Sequence, residues 1–388
     1  MTAFAAVMTG KGTGAISSIQ LLGDTSEAIL KKIFKPAGAK TAKFKTGKIL
    51  LGTIIDGTET IDQVIIGCEE PDIFAINCHG NPLIVEMIMQ LLRRCGVTLL
   101  TGEELLLKIL LTQEHVNTIA LEAKLIQPKA QTIQATKIIA NQIIAGLSKR
   151  ATEWLQGINE ISLDDIAIDA EQILKDSQTA KLIIFGCKAA IVGPPNSGKS
   201  TLLNCLSGKQ KAIVTDIKGT TRDWVSAQCR IEPLSIEFID TAGLDETPAN
   251  DTQKESQRKS VEILQQADLV LLVLDNSQIM EQLDEHLIGK IADKKVLVVL
   301  NKIDLPAYFN ADLLPENLKN VVQISAKYGN GIENLYEKIR QICGVADFNL
   351  HTPVCFTDRQ ETLLKQLKTA KSIHHASKII SELLNSQA

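Results

Sequence analysis

The run Gly193-Pro-Pro-Asn-Ser-Gly-Lys199-Ser200 constrains this chain more than any other feature. It fits the spacing G-x-x-x-x-G-K-[ST] of a phosphate-binding loop. The apolar residues 189–192 before it read as a buried strand, and residues 201–206 after it as a helix. Strand, glycine loop and helix in that order belong to an α/β layer. The glycines let the backbone curl so that successive N–H groups face a phosphate, and the helix N-terminus adds partial positive charge. Gly193, Asn196, Ser197, Gly198 and Thr201 are therefore expected to line nucleotide phosphates. Lys199 is expected to reach the β- and γ-phosphates, and the Ser200 hydroxyl to ligate Mg²⁺.

Three further motifs follow, each at the end of a predicted strand. Asp240-Thr-Ala-Gly243 comes after Leu234 to Ile239. A carboxylate at that position can hold Mg²⁺ through water, and the Gly243 N–H can bind the γ-phosphate. Asn301-Lys302-Ile303-Asp304 comes after Val296 to Leu300. Asp304 is placed to accept hydrogen bonds from guanine N1–H and the exocyclic amine, donors that adenine lacks on that edge. The motif therefore selects GTP over ATP. Ser325-Ala326-Lys327 follows Val321 to Ile324 and can complete the base pocket by a backbone contact to guanine O6. Singly these motifs are weak. In this order they imply a GTP-binding, GTP-hydrolysing enzyme.

A chain of 388 residues has room for two or three domains. Its formal charge of −4 gives no global attraction for nucleic acid. Lys31, Lys32, Lys35, Lys40, Lys43, Lys45 and Lys48 fall in a stretch without an acid. Such a run can hold RNA phosphates, although a solvated loop is the commoner reading. The eight cysteines include no C-x-x-C pair, so they read as buried thiols of a reducing compartment rather than a zinc or redox centre. No uninterrupted apolar run is long enough to span a bilayer, and the N-terminus lacks a signal-peptide pattern. A cytoplasmic location without membrane attachment is expected.

Residues 1–117 alternate short strands with helices: strands at 16–22, 49–55, 63–68 and 73–78, and helices at 26–34 and 82–94. Thr25 or Ser26 is the expected cap of the first helix. From 118 to 185 apolar residues recur at helical spacing, and the tail from 358 to 384 is helical again. That tail is too short to build a core alone. The economical fold is a small N-terminal α/β domain (1–117) and a discontinuous helical domain (118–185 with 350–388). A Ras-like P-loop α/β domain (186–349) interrupts the helical one. A tail docked directly on the nucleotide domain is the alternative.

With the stretch Ala212-Ile-Val-Thr-Asp-Ile-Lys-Gly-Thr-Thr-Arg-Asp223, the nucleotide motifs and flanking helices resemble the MnmE (TrmE) family of tRNA-modification GTPases. Gly14-Ala-Ile and Cys78-His79-Gly80 support the match in the N-terminal part. The resemblance implies a folate-binding, dimerising N-terminal domain and a helical domain interrupted by the GTPase domain. It also implies GTP hydrolysis coupled to modification of tRNA wobble uridine with a flavoprotein partner. Thr221 is expected to close over the γ-phosphate and ligate Mg²⁺ with Ser200 and Asp240. Asn196, Thr215, Ile217 and Thr220 are the expected potassium cage; for Asn196 a loop-stabilising amide is the alternative. A cation there would place positive charge where the transition state builds negative charge.

The chain also departs from the family pattern. The catalytic Glu of the second switch falls on Gln253, with Glu255 two residues on as the other candidate; an ordinary solvated switch is the competing reading. The folate-site Arg falls on Gln20, the acid before the His-Gly pair on Ala75, and the helix lysine near Glu114 or His115. Folate binding is therefore expected to be weak. The terminal Cys-x-Gly-Lys tail is replaced by Ser386-Gln387-Ala388. Two functions compete on these grounds: an enzyme of tRNA wobble-uridine modification, or a GTPase switch or assembly factor that has lost the folate chemistry.

Overall fold

The computed structural model describes the chain outside residues 1–2, 11, 39–40, 113–116, 209–225, 242–259, 281–282, 284 and 386–388. It divides into two compact units, 1–116 and 117–388.

The first unit runs β1 (Phe4–Val7), β2 (Ile16–Leu22), α1 (Ser26–Ile33), β3 (Phe34–Pro36), β4 (Lys48–Asp56), β5 (Glu59–Glu70) and β6 (Ile73–His79). It continues with α2 (Pro82–Arg94), β7 (Thr98–Leu99) and α3 (Gly102–Thr112). The seven strands form one sheet in the order β3-β4-β5-β6-β2-β1-β7, antiparallel except for the β1–β7 pair. Alternation buries Val64, Ile66, Phe74 and Ile76 on one face with Ile88 and Leu92 of α2. α2 starts at Pro82, where a missing N–H costs nothing, and the Asn81 side chain accepts from Leu83 N at 2.9 Å. The expected cap of α1 is absent. Thr25 stands at the N-cap position in a helical conformation and makes no side-chain cap bond. The Ser26 hydroxyl is buried with no partner among the described residues.

The second unit opens with α4 (Thr118–Ile126), α5 (Ile133–Ile144), α6 (Gly146–Gln156) and α7 (Leu163–Phe185). Then come β8 (Cys187–Val192), α8 (Lys199–Gly208), β9 (Ser226–Ile231), β10 (Leu234–Asp240) and β11 (Leu269–Asp275). The chain continues with α9 (Glu285–Ile291), β12 (Val296–Asn301), β13 (Val321–Gln323) and α10 (Ile332–Cys343), and ends with α11 (Asp358–Lys368) and α12 (Ile373–Asn385). The sheet order is β13-β12-β11-β8-β10-β9, parallel except for the β9–β10 edge. Every residue of β11 and β12 is buried, as a parallel strand covered on both faces requires. On one face Ile191, Leu271 and Phe238 share a continuous core with Ile138, Ile183 and Ile380 of the helices and with Phe356 just before α11. On the other, Val192, Leu272 and Val298 pack with Leu264 and Ile291.

The tail predicted as helical from 358 to 384 forms two helices. It breaks at 369–372, where the Ser372 hydroxyl accepts from His375 N at 3.2 Å and restarts the helix. Folding back lets both apolar stripes face α4, α6 and α7. Polar bonds hold that return. Gln142 donates to the Thr352 carbonyl at 3.1 Å and accepts from Val354 N at 3.1 Å and Leu147 N at 2.8 Å. Arg359 forks onto both Glu122 oxygens, at 2.8 and 2.9 Å. No helix among the described residues is long and apolar enough to cross a membrane.

Candidate functional site

Parallel strands in one sheet deliver their C-terminal loops to one edge, which is where such folds bind ligands. Here those loops carry the sequence motifs. β8 ends at Val192 and the chain turns at Gly193 with φ 142°. A Cβ there would stand 2.1 Å from the Val273 carbonyl oxygen, and one at Gly198 (φ 96°) 2.2 Å from Asn301 Nδ2. Both glycines are thus required by close approach as well as by backbone sign. Asn196 also sits in the left-handed region, at φ 61°. α8 begins at Lys199, so Ser200 and Thr201 lie in its first turn. The Lys199 ammonium reaches back to donate to the Gly193 carbonyl at 2.6 Å and the Pro194 carbonyl at 3.0 Å.

The parallel register sets Asp240 beside Ile191. Ser200 Oγ donates to Asp240 Oδ2 at 2.9 Å. Asp240 Oδ1 is buried and has no hydrogen-bond partner among the described residues. A hydroxyl beside a carboxylate with a free buried oxygen is a hard oxygen donor set, so these residues fit Mg²⁺. The Ser197 hydroxyl, in the loop itself, is likewise buried without a partner there.

The two base motifs are tied to the phosphate loop and to each other. Asn301, nearly fully buried, donates to the Ser197 carbonyl at 2.9 Å and accepts from Ala326 N at 2.9 Å. One side chain therefore staples the phosphate loop to the Ser325–Lys327 loop. Lys302, at φ 65°, donates to the Asn196 carbonyl at 2.7 Å and to Asp275 Oδ2 at 2.6 Å. Ser325 Oγ donates to Asp304 Oδ1 at 2.6 Å, which orients an otherwise exposed carboxylate. Lys327 lies with its ammonium 4.9 Å from the Tyr328 ring centre, and its pKa is raised by Tyr328. Thr215, Ile217, Thr220, Thr221, Gly243, Gln253 and Glu255 lie outside the described residues.

Sequence reading missed Asp275. It ends β11 after six apolar residues, and that change from apolar run to acid at a strand end was the available signal. Burial opposes its charge, yet bonds from Lys302 and Ser277 prevail and hold the carboxyl below its ordinary pKa. The eight cysteines are free thiols. Among the described residues, no three His, Cys, Asp or Glu side chains gather as a metal centre.

Residues 188–302 match the family described as 50S ribosome-binding GTPase, and residues 3–103 the GTP-binding protein TrmE N-terminus. The chain is 32% identical to the tRNA modification GTPase MnmE of Ligilactobacillus salivarius, over 87% of this chain and 80% of that protein. The protein of the same description from a Thermoanaerobacter species is 30% identical, over 89% and 83%. The chain belongs to the MnmE family. The Clostridioides difficile member, at 28% identity, aligns over 94% of this chain and 87% of its own length. As a member of that family the chain binds and hydrolyses GTP.

Proposed function

We propose that this chain is a potassium-stimulated GTPase acting in tRNA wobble-uridine modification. The observation that carries the nucleotide reading is the convergence of three motif loops through Asn301 and Lys302 at one sheet edge. In this reading Lys199 exchanges its two carbonyl partners for the β- and γ-phosphates. Ser200 and Thr221 ligate Mg²⁺, and Asp240 holds it through water. The ion neutralises charge on the phosphates when bound. Asp304, oriented by Ser325, takes the guanine donors, and the Ala326–Lys327 backbone takes O6. Asn196, Thr215, Ile217 and Thr220 hold potassium, while Gln253, with Glu255 as the fallback, orients the attacking water.

The tRNA role rests on alignment with MnmE proteins over nearly the whole chain, which favours it over a switch or assembly factor. Residues 118–185 and 350–388 act in this reading as one helical domain interrupted by the nucleotide domain at 186–349. The Gln142 and Arg359 bonds support it. The N-terminal domain (1–117) pairs with a second copy, and a flavoprotein is the partner enzyme. Uncovered Ile49, Leu51 and Ile65 on β4 and β5 support the pairing. Folate binding is weak. Gln20 donates to Glu69 at 2.7 Å and lies opposite Ala75, so an acid occupies the place where a polyanionic ligand needs a cation. The test is GTP against ATP turnover of the full chain, with mass analysis of tRNA nucleosides from a host lacking the gene. Equal turnover of both nucleotides overturns the site; unchanged wobble uridines overturn the pathway.

A further inference from the structure

Asp275 lies outside the nucleotide motifs, yet its side chain bonds Lys302 of the Asn301–Asp304 motif. The parallel register of β11 and β12 sets Asp275 opposite Asn301, one residue before Lys302. The turn that follows β11 is locked to the base loop. Asn276 N donates to the Asn301 carbonyl at 2.9 Å, and the Asn276 carbonyl accepts from Tyr308 N at 2.9 Å. Within that turn Asp275 Oδ1 accepts from both Ser277 N, at 2.9 Å, and Ser277 Oγ, at 2.7 Å. Its other oxygen faces the Lys302 ammonium at 2.6 Å. The carboxylate side chain is 10% exposed and the lysine 31%, so the pair is only partly screened by solvent.

The same ammonium is bonded to the Asn196 carbonyl of the phosphate loop. Lys302 therefore spans two loops, and Asp275 fixes where its charged end stands. We propose that Asp275 is a positioning residue for nucleotide binding: it clamps Lys302 so that the base loop holds the phosphate loop at Asn196. This rests on the nucleotide reading of residues 193–200 and 301–304. A consequence is that one acid, distinct from the base-reading Asp304, sets both the nucleotide residence time and the placement of Asn196. Guanine selectivity, which belongs to Asp304, stays untouched.

The experiment measures dissociation of fluorescently labelled GDP from the full chain carrying Asp275→Ala, Asp275→Asn, Lys302→Met, and Asp275→Ala with Lys302→Met. Thermal unfolding of each variant is followed alongside. A lost charge-assisted bond should speed GDP release about tenfold in Asp275→Ala. Asp275→Asn, which keeps one acceptor oxygen that can turn to Lys302, should recover part of that loss. The double variant should release GDP no faster than Lys302→Met alone, because Asp275 acts only through Lys302. Preference for guanine over xanthine diphosphate should stay as in the unmodified chain. Release within twofold of the unmodified chain in a folded Asp275→Ala overturns the clamp. So does a double variant whose effect equals the product of the two single ones, which is what a merely structural acid would give. If the unmodified chain binds no GDP, the site reading fails first and the clamp with it.

Discussion

At the scale of single residues, the site depends on side chains that hold other groups as much as on those that meet the ligand. In the proposed reading Asp304 meets the base, and one of its oxygens is fixed by Ser325 at 2.6 Å. Asp304→Asn exchanges one acceptor for a donor, so the variant should prefer xanthine to guanine nucleotide, inverting the order of the unmodified chain. Nucleotide competition read by labelled GDP checks this, and retained guanine preference would remove Asp304 from the pocket. Asn196 stands in the left-handed region with its carbonyl taken by Lys302, which leaves its amide as the group that can face a cation. GTP turnover should therefore be faster in potassium than in sodium at matched ionic strength, and Asn196→Ala should abolish the difference. Equal rates in both salts for the unmodified chain would rule out the cage.

At the scale of elements, α7 and α11 are joined by a charged bridge. Glu361 of α11 pairs with Lys181 of α7 and with Lys365 of its own helix. Bonds from Lys181, then Lys365, outweigh partial burial and lower its pKa from 4.5 to about 2. A carboxylate with a depressed folded pKa stabilises the fold fully above its unfolded pKa. That contribution fades as pH falls through about 4.5 toward about 2. Solvent screening keeps it to about 1–2 kcal/mol. Glu361→Gln should therefore unfold at a lower temperature than the unmodified chain at pH 7, with the gap narrowing at pH 3. A gap of the same size at both values would show that packing, not charge, joins the two helices.

At the scale of the whole molecule, the two compact units divide the expected work. The nucleotide loops belong to the second, and the residues that the family resemblance places at a folate site to the first. There, the Gln20–Glu69 bond and the small Ala75 opposite Gln20 stand where the family resemblance implies a cation and an acceptor. Two lost charge-assisted bonds weaken binding by roughly two orders of magnitude or more. Calorimetric titration of the full chain with a formyl-tetrahydrofolate should show binding weaker than micromolar. Micromolar affinity would mean that other residues have rebuilt the site.

What the sequence determined by itself was local. The phosphate loop, its flanking strand and helix, and the acid and base motifs each occupy a short run whose apolar pattern and glycines dictate one backbone path. The strands expected at 16–22, 73–78 and 234–239, and the helix at 82–94, were legible for the same reason, to within a residue of their observed ends. The short strands β1, β3 and β7 were not, because two to four residues carry no period and pair only when a neighbour is already in place. Nor was the break at 369–372 visible, since the stripe on each side continues at helical spacing. Tertiary structure alone decided the polar ties. Gln142 meets Thr352 and Val354, and Glu122 meets Arg359, across more than two hundred residues of chain. Asp275 meets Lys302 only because two parallel strands end side by side. A buried polar group needs its partners to avoid an uncompensated loss of solvation, but which partners it finds is set by packing and register, and neither is written in the neighbouring residues.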